Sequence, residues 1–187
     1  MDLLPLRAPA AASGPCAREE ALVRLRGRGL GGWYRGWRHG PLCEVRPVQV
    51  PYRLFEVRVS NAGRLGRQWL AIDAVAGALD LYAFPEPPGA DQWAPDPAAG
   101  VLPEGVPGER LRAEVMERVR RQVYSAGFFR LRGLRIEVDD LGRVLYLPYW
   151  AGLHRKGGRT RVEVLGGLRR GREGAKVRDL IAPWLAV

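Results

Sequence analysis

Val50-Pro51-Tyr52 and Leu147-Pro148-Tyr149 occupy equivalent points of a pattern that the chain repeats. Each tripeptide follows a helix-patterned segment, lies in a β-like stretch, and is followed by a second β-like stretch that ends in glycine. Repetition of one small unit predicts a scaffold whose two halves pack on each other. We therefore expect an α+β fold made of two related halves, each a helix followed by an antiparallel meander.

The chain divides into four segments around this repeat. Residues 1–14 are rich in Ala and Pro and are expected to form a flexible N-terminus, and residues 15–84 form the first half. Residues 85–108 carry seven prolines, four glycines and no basic residue, which predicts an extended connector with Trp93 as its anchor. Residues 109–187 form the second half.

In the first half, the short apolar stripe of Ala21, Leu22 and Leu25 predicts a helix over about 15–27. The glycine-rich and aromatic run 31–40 fits no regular period, so we expect a loop or a glycine-punctuated strand. The meander that follows is predicted from alternating residues and turn signals, with strands at 45–60, 68–73 and 78–84 and a turn at Asn61-Ala62-Gly63.

The second half begins with a strong helical pattern. Leu111, Val115, Val119 and Val123 recur every four residues, which predicts a helix over 109–124 that ends at Gly127. Asp139-Asp140-Leu141-Gly142 predicts a hairpin turn. The remaining predicted elements are strands at 134–138, 144–153 and 160–165, a reversal at Lys156-Gly157-Gly158, and a helix at about 174–183 that buries Val177, Leu180, Ile181 and Trp184.

The reversal Ile72-Asp73-Ala74-Val75-Ala76-Gly77-Ala78-Leu79 resembles that of the PepSY-like, cystatin-like group of small α+β domains. In that group an aspartate caps the turn and a glycine adopts a conformation that is costly for other residues. The resemblance covers residues 15–84, and Val164-Leu165-Gly166-Gly167 lies at the corresponding place in the second half without the aspartate. It implies an antiparallel sheet wrapped on a helix that acts as a binding, inhibitory or assembly module and not as an enzyme.

The charge of the chain suits an anionic partner, but a coding bias is the favoured explanation of the arginine-rich composition. Basic residues number 30 and acidic residues 20, and all of the basic residues except Lys156 and Lys176 are arginine, whose planar fork suits phosphate and carboxylate. A coding bias in a GC-rich genome would also produce this composition. Residues 110–187 alone carry 18 basic and 8 acidic residues.

The basic residues of the second half lie at successive reversals of the chain, where they can follow phosphates, and aromatic residues of the first half can stack on bases. An acidic protein would suit the same surface. The candidate binding residues are Arg155, Lys156, Arg159, Arg161, Arg169, Arg170, Arg172, Lys176, Trp33, Tyr34 and Trp37.

No residue pattern indicates catalysis. The run from Gly166 to Glu173 has the glycine spacing of a P-loop, but Arg172 and Glu173 stand where lysine and a hydroxyl residue are needed, so a simple anion site beside Arg169, Arg170 and Lys176, or a plain solvated turn, is the better interpretation. The serines lack a nucleophile-elbow context, and Asp139 and Asp140 are interpreted as turn formers.

Metal binding and membrane insertion are not expected either. Cys16, His39, Cys43 and His154 are all the cysteines and histidines of the chain, and they lack paired ligand spacing. Whether Cys16 and Cys43 form a disulfide stays open. The start of the sequence lacks the features of a secretory signal, and no apolar stretch has the length of a membrane span, which favours a cytoplasmic protein.

The sequence thus predicts a non-enzymatic binding or assembly module without a cofactor, acting with a protein partner or as a homo-oligomer. The alternative is a nucleic-acid-binding protein that uses the arginine-rich rim of the second half. Whether the two halves share one sheet stays open.

Overall fold

The computed structural model describes residues 16–27, 29–61, 64–89, 91–125 and 133–185. The expected flexible N-terminus at 1–14, the turn residues Ala62 and Gly63, and the helix end at Gly127 lie outside these ranges. The described residues form an α+β fold with a six-stranded sheet and four α-helices, as the sequence predicts at this level.

The sheet has the order β3-β2-β1-β5-β6, and β4 pairs with β1 in parallel. The pairings β1–β2, β2–β3 and β5–β6 are antiparallel. The strands are β1 Leu42–Asn61, β2 Arg64–Asp73, β3 Tyr82–Phe84, β4 Gly100–Val101, β5 Arg135–Lys156 and β6 Arg159–Gly166. The helices are α1 Arg18–Arg26, α2 Gly29–His39, α3 Gly108–Ser125 and α4 Ala175–Ile181, and α4 is followed by a 3-10 turn over Ala182–Leu185.

Two compact units share the chain. Of the described residues, the first contains those within 51–94 and 103–145, and the second contains those within 16–50, 95–102 and 146–185. Both β1 and β5 contribute residues to each unit. The division into sequence halves at 15–84 and 109–187 stays a prediction.

The core of the first unit is built on α3, whose predicted stripe is confirmed. Leu111, Val115, Val119 and Val123 are all buried, and they belong to one cluster with alternating residues of β1 and β2 such as Phe55. Each apolar side chain of this size contributes roughly 1.5–3 kcal/mol when it is fully buried. The stripe therefore accounts for the position of α3 on the sheet.

The reversal after β2 has the geometry expected of an aspartate-capped turn. Asp73 is fully buried, and its carboxylate accepts the backbone N–H groups of Ala76 and Gly77, at 2.7 and 3.0 Å, and of Leu79, at 2.7 Å. Gly77 adopts φ of +69°, which favours glycine. Arg118 of α3 donates to the carbonyl oxygens of Gly77, at 2.7 Å, and of Leu79, so the helix also holds this turn in place.

The second unit buries α1 through Ala21 and Leu25, beside Cys16, Val45 and Leu165. This confirms the helix predicted over 15–27, with bounds at Arg18 and Arg26. The cysteines are both free thiols, with Cys16 buried and Cys43 exposed.

The interpretation of 31–40 as a loop or strand was wrong, because these residues belong to α2 and its end. Each glycine costs a helix about 1 kcal/mol relative to alanine, and four glycines in this short segment hide the helical pattern. Tertiary contacts at the end of the helix overcome that cost. His154 bonds to the carbonyl oxygen of Gly40 at 3.1 Å, and Lys156 donates to the carbonyl oxygen of Trp37.

The turn predicted at Asp139-Asp140-Leu141-Gly142 was also wrong, since β5 runs unbroken from Arg135 to Lys156. Gly142 has φ of +63°, and the Asp140 carboxylate accepts its N–H at 2.8 Å, so the turn signal is satisfied inside a continuous strand, as in a bulge. Arg53 and Arg58 of β1 contact Asp140 and Asp139 respectively. The second predicted meander therefore has two strands instead of three.

The C-terminal helix is shorter than predicted, and one of its expected core residues is exposed. Val177 and Ile181 are buried, but Trp184 is 56% exposed and Leu185 is buried instead. The chain tightens into a 3-10 turn at Ala182–Leu185, which changes the angular spacing of the side chains from that of an α-helix.

The connector is anchored as expected but is not entirely without pairing. Trp93 is buried, while Gly100 and Val101 pair with Val48 and Gln49 of β1. The Gln49 side chain also accepts the N–H of Asp96 at 2.8 Å.

Candidate functional site

The hairpin between β5 and β6 presents a dense row of basic residues. Gly157 and Gly158 form its two-residue loop, and both have positive φ, at +56° and +76°, as a tight hairpin requires. Lys156 lies directly opposite Arg159 in the register. Like charges at such a cross-strand pair are destabilising, so this pair lowers the stability of the hairpin.

The end of α2 lies against this hairpin. Gly40 has φ of +85°, and a Cβ atom at this position would stand 2.0 Å from the carbonyl oxygen of Arg155. The N–H of Arg155 donates to the carbonyl oxygen of Pro41 at 3.3 Å. Lys156 donates to the carbonyl oxygen of Trp37 and lies over the Trp37 ring, 5.4 Å from its centroid. These contacts hold α2 and the hairpin together.

Three aromatic side chains of α2 are exposed, and we call Trp33, Tyr34 and Trp37 the aromatic face. Their exposed fractions are 71%, 49% and 64%. The Tyr34 and Trp37 ring centroids are 6.1 Å apart with an interplanar angle of 38°. The aromatic face thus offers flat apolar surface on a helix whose end is held in place.

A groove of about 690 Å³ lies beside the end of α2. We call it the basic groove, because five of its lining residues are cationic and none is acidic. Among the described residues, no carboxylate lies within 4.0 Å of the charged nitrogens of Arg38, Lys156, Arg159 or Arg161, whereas Arg178 pairs with Asp179 at 2.9 Å. The lining residues are Arg38, His39, Lys156, Arg159, Thr160, Arg161, Val162, Arg178 and Ala182.

The titration of His39 reflects this positive surrounding. Partial burial lowers the pKa of His39, and the charges of Arg161 and Arg38 lower it further. His39 is consequently held in its neutral form more strongly than a free imidazole.

Three residues, His154, Glu163 and Arg172, form an ion-paired cluster in which the histidine is buried. His154 is only 3% exposed, and its Nδ1 lies 3.1 Å from the carbonyl oxygen of Gly40 while its Nε2 lies 3.7 Å from Oε2 of Glu163. The same Glu163 oxygen accepts from Arg172 at 2.9 Å. The interaction with Glu163 raises the pKa of His154 despite its burial.

The structure divides the eleven sequence-predicted site residues into two groups. Lys156, Arg159 and Arg161 line the basic groove, Arg155 lines an adjoining depression at the hairpin tip, and the three aromatic residues lie on α2. The remaining four, Arg169, Arg170, Arg172 and Lys176, are outside the lining of the groove.

Two of these remaining residues make contacts that stabilise α1. Arg172 donates to the carbonyl oxygens of Arg24 and Leu25 at 2.8 and 3.1 Å, and Arg170 lies 3.7 Å from Glu20. The P-loop-like turn, residues 166–173, also contains a carboxylate of its own, that of Glu173. A Cβ atom on Gly166 would stand 2.2 Å from Oε1 of Glu173, which shows how closely this carboxylate approaches the turn.

Sequence reasoning missed Arg178, His39 and Thr160 as groove residues. Arg178 reaches the groove because α4 packs against β6, and no sequence pattern announces that contact. No sequence pattern indicated Thr160, because it alternates with Arg159 and Arg161 along β6. The position of His39 directly after Trp37 and Arg38 was the available signal for that residue.

The other candidate chemistry has structural explanations. Asp139 and Asp140 contact Arg58 and Arg53, and burial raises the pKa of the Cys16 thiol, which lowers the fraction of reactive thiolate. Within the described ranges, no group of three or more His, Cys, Asp or Glu side chains is placed to hold a metal ion. Nor does any helix in those ranges combine the length and apolarity that a membrane crossing needs.

The surface has to be interpreted from its own geometry. A scan against protein-family models found no match, and searches of the curated proteins and of the solved structures found none either.

Proposed function

We propose that this protein is a non-enzymatic binding module whose ligand is a nucleic acid, bound in the basic groove and on the aromatic face. The observation that carries the proposal is the groove lining, in which five cationic side chains and no acidic one face the same space beside exposed aromatic rings. A polyanion neutralises this charge and releases its condensed counterions on binding.

The cost of the charge arrangement supports a binding role. Lys156 and Arg159 stand directly opposite each other, and Arg161 stands opposite His154, so the hairpin concentrates positive charge where repulsion disfavours it. Elsewhere in the described chain, arginines such as Arg53, Arg118 and Arg172 have carboxylate partners. A phosphate chain would supply the missing negative charge to the hairpin.

The broader expectation, a module built from two related halves, belongs to this proposal. Supporting it, β1 and β5 are neighbouring strands of 20 and 22 residues, each preceded by a helix and each followed by an antiparallel partner. Tyr52 and Tyr149 of the repeated tripeptides are both buried. We include in the same proposal a PepSY-like or cystatin-like origin, a cytoplasmic location and self-association, whereas an acidic protein partner for this surface is the alternative to a nucleic acid.

The test measures binding of labelled oligonucleotides by fluorescence anisotropy over a series of salt concentrations. Affinity should fall steeply with salt, and the double substitution Arg159→Ala and Arg161→Ala should make the log–log slope shallower by roughly 1.4–1.8, because each phosphate contact contributes about 0.7–0.9. The matched control is Arg110→Ala with Arg120→Ala, which removes two exposed arginines of α3.

Two results would count against nucleic-acid binding. One is the lack of any binding at low salt. The other is an equal loss in the α3 control, because this would mean that net charge alone, and not the groove, determines affinity.

A further inference from the structure

We infer that the ligand is a single-stranded nucleic acid whose unpaired bases stack on the aromatic face while its phosphates lie in the basic groove. This inference rests on the proposed function and names the form of its ligand. It follows from three features of α2, namely the exposure of its rings, the way it is held, and the open space at Gly36.

The exposed rings are suited to a ligand that has flat apolar surfaces. Trp37 lies three residues after Tyr34 and four after Trp33, which makes it the neighbour of both on the helix surface. Each ring keeps about half or more of its surface exposed, although Lys156 lies over the ring of Trp37. A contiguous exposed apolar patch of this kind marks an interaction site, and its basic neighbours favour an anionic occupant.

The rings are presented on a fixed support. Lys156 contacts both the carbonyl oxygen and the ring of Trp37, and the close approach of Gly40 to Arg155 leaves α2 little freedom at its end. Trp37 nevertheless keeps most of its surface exposed. A preorganised ring binds a base with a smaller loss of conformational entropy than a mobile one.

Gly36 leaves the helix surface next to Trp33 open, because positions three residues apart are neighbours on a helix. It lies three residues after Trp33 and immediately before Trp37, and a Cβ atom built on it meets nothing within 4 Å. Its φ is not in the left-handed region, so neither packing nor backbone conformation requires glycine here. A helix-interior glycine costs stability, and clearance for a ligand beside the Trp33 ring would account for its presence.

Single strands differ from duplexes in how accessible the flat faces of their bases are. In a duplex the bases stack on each other and present only their edges in the grooves, so a duplex can satisfy the basic groove but not the aromatic face. In a single strand the bases can be splayed out and stacked on tryptophan or tyrosine, while the backbone follows a positively charged groove. The combination on this surface matches the second case.

The experiment compares four probes in the same anisotropy assay, namely oligo(U), oligo(dT), a hairpin duplex, and an abasic oligonucleotide with the same number of phosphates. Both single strands should bind more tightly than the duplex and the abasic chain. Trp33→Ala and Trp37→Ala should each weaken single-strand binding about tenfold and leave the duplex and abasic affinities unchanged. RNA and DNA are distinguished by the ratio of the oligo(U) and oligo(dT) affinities.

Gly36→Leu supplies a second test that does not remove a ring. It should leave the thermal unfolding temperature equal or higher, because leucine favours the helix, and yet weaken single-strand binding. Ala113→Leu, at an exposed position of α3, is the matched control and should leave binding unchanged. Circular dichroism of each variant separates loss of a contact from loss of folding.

The results that overturn the inference differ from those that overturn the proposed function. Equal affinity for duplex, abasic and single-stranded probes, or no effect of the tryptophan substitutions, rejects base stacking while groove binding stands. Absence of binding to all four probes rejects both. Vesicles containing phosphatidylglycerol and a poly-glutamate peptide are included as further probes. Binding of either one through Trp33 and Trp37, without oligonucleotide binding, assigns the surface to a membrane or to an acidic protein.

Discussion

At the scale of single residues, Lys156 links the two parts of the candidate site. Its ammonium group binds the carbonyl oxygen of Trp37 and lies over the ring of the same residue, while its own strand position places it opposite Arg159. An arginine would present a wider, planar head at this place. One of the two lysines in the chain therefore stands where a compact cation has to fit between a helix end and a ring.

His154 has a buried position in which its charge stabilises the fold. Glu163 makes the largest contribution and raises the pKa of His154, and the carbonyl oxygen of Gly40 raises it further. Burial and the charge of Arg172 lower this pKa. A histidine that binds its proton more tightly in the folded protein contributes stability that is fully present below its unfolded pKa of 6.5, and this contribution is lost as the pH rises through its folded pKa.

We expect His154→Gln to remove this pH dependence. The difference in free energy of unfolding between the wild type and the variant should be larger at about pH 5.5 than at about pH 8.5, since the stabilisation by protonated His154 is fully present below pH 6.5 and declines as the pH rises through its folded pKa. Urea denaturation at the two pH values measures it. His39→Gln is the control with the opposite sign, because burial and Arg161 lower the pKa of His39 and its contribution is lost as the pH falls below 6.5. If the difference in free energy of unfolding between the wild type and His154→Gln does not change with pH, the idea that protonated His154 stabilises the fold is contradicted.

At the scale of elements, the position of α2 depends on how closely Gly40 approaches the hairpin. Both the positive φ of Gly40 and the space taken by the Arg155 carbonyl group exclude a side chain there. Gly158 in the hairpin loop has a positive φ of similar size, but a Cβ atom on it meets nothing within 4 Å. A comparison of substitutions at these two glycines therefore separates the cost of the left-handed backbone conformation from the cost of steric overlap.

Gly40→Ala should lower the free energy of unfolding more than Gly158→Ala. The left-handed backbone costs each alanine about 1–2 kcal/mol, and the overlap with Arg155 adds about 1–3 kcal/mol for Gly40→Ala alone. Chemical denaturation of both variants gives the difference. Equal destabilisation would mean that α2 is not packed on the hairpin as described.

The elements that could be predicted from sequence are those whose own pattern determines them. The stripe of Leu111, Val115 and Val119 indicates α3, because apolar spacing and burial agree there. At α2 the glycines conceal a helix that tertiary contacts stabilise, and at Gly142 a turn signal is used inside a strand that β1 supports. In both cases a contact distant in sequence outweighs the local preference.

At the scale of the whole molecule, the same limit applies to the candidate site. Lys156, Arg159 and Arg161 follow from the sequence because they flank one hairpin loop. Arg178 does not, since it reaches the groove only through the packing of α4 on β6. Arg170 and Arg172 look equivalent to the groove residues in the sequence but contact Glu20 and Glu163, so composition alone cannot tell a binding arginine from a structural one.

The tryptophans report most directly on where the ligand binds. The chain has six tryptophans, and each indole N–H gives one signal in a proton–nitrogen NMR spectrum. Trp33 and Trp37 are exposed on α2, whereas Trp93 is buried and the indole of Trp150 donates to the carbonyl oxygen of Cys16 at 2.9 Å. Assignment by single substitutions identifies each signal.

Titration with oligo(U) followed through these indole signals is the decisive measurement. The signals of Trp33 and Trp37 should shift and saturate together as stacking forms, and those of Trp93 and Trp150 should stay in place. If Trp33 and Trp37 keep their positions while the oligonucleotide is bound, or if no signal moves at any concentration, the aromatic face and the basic groove are not a nucleic-acid interface.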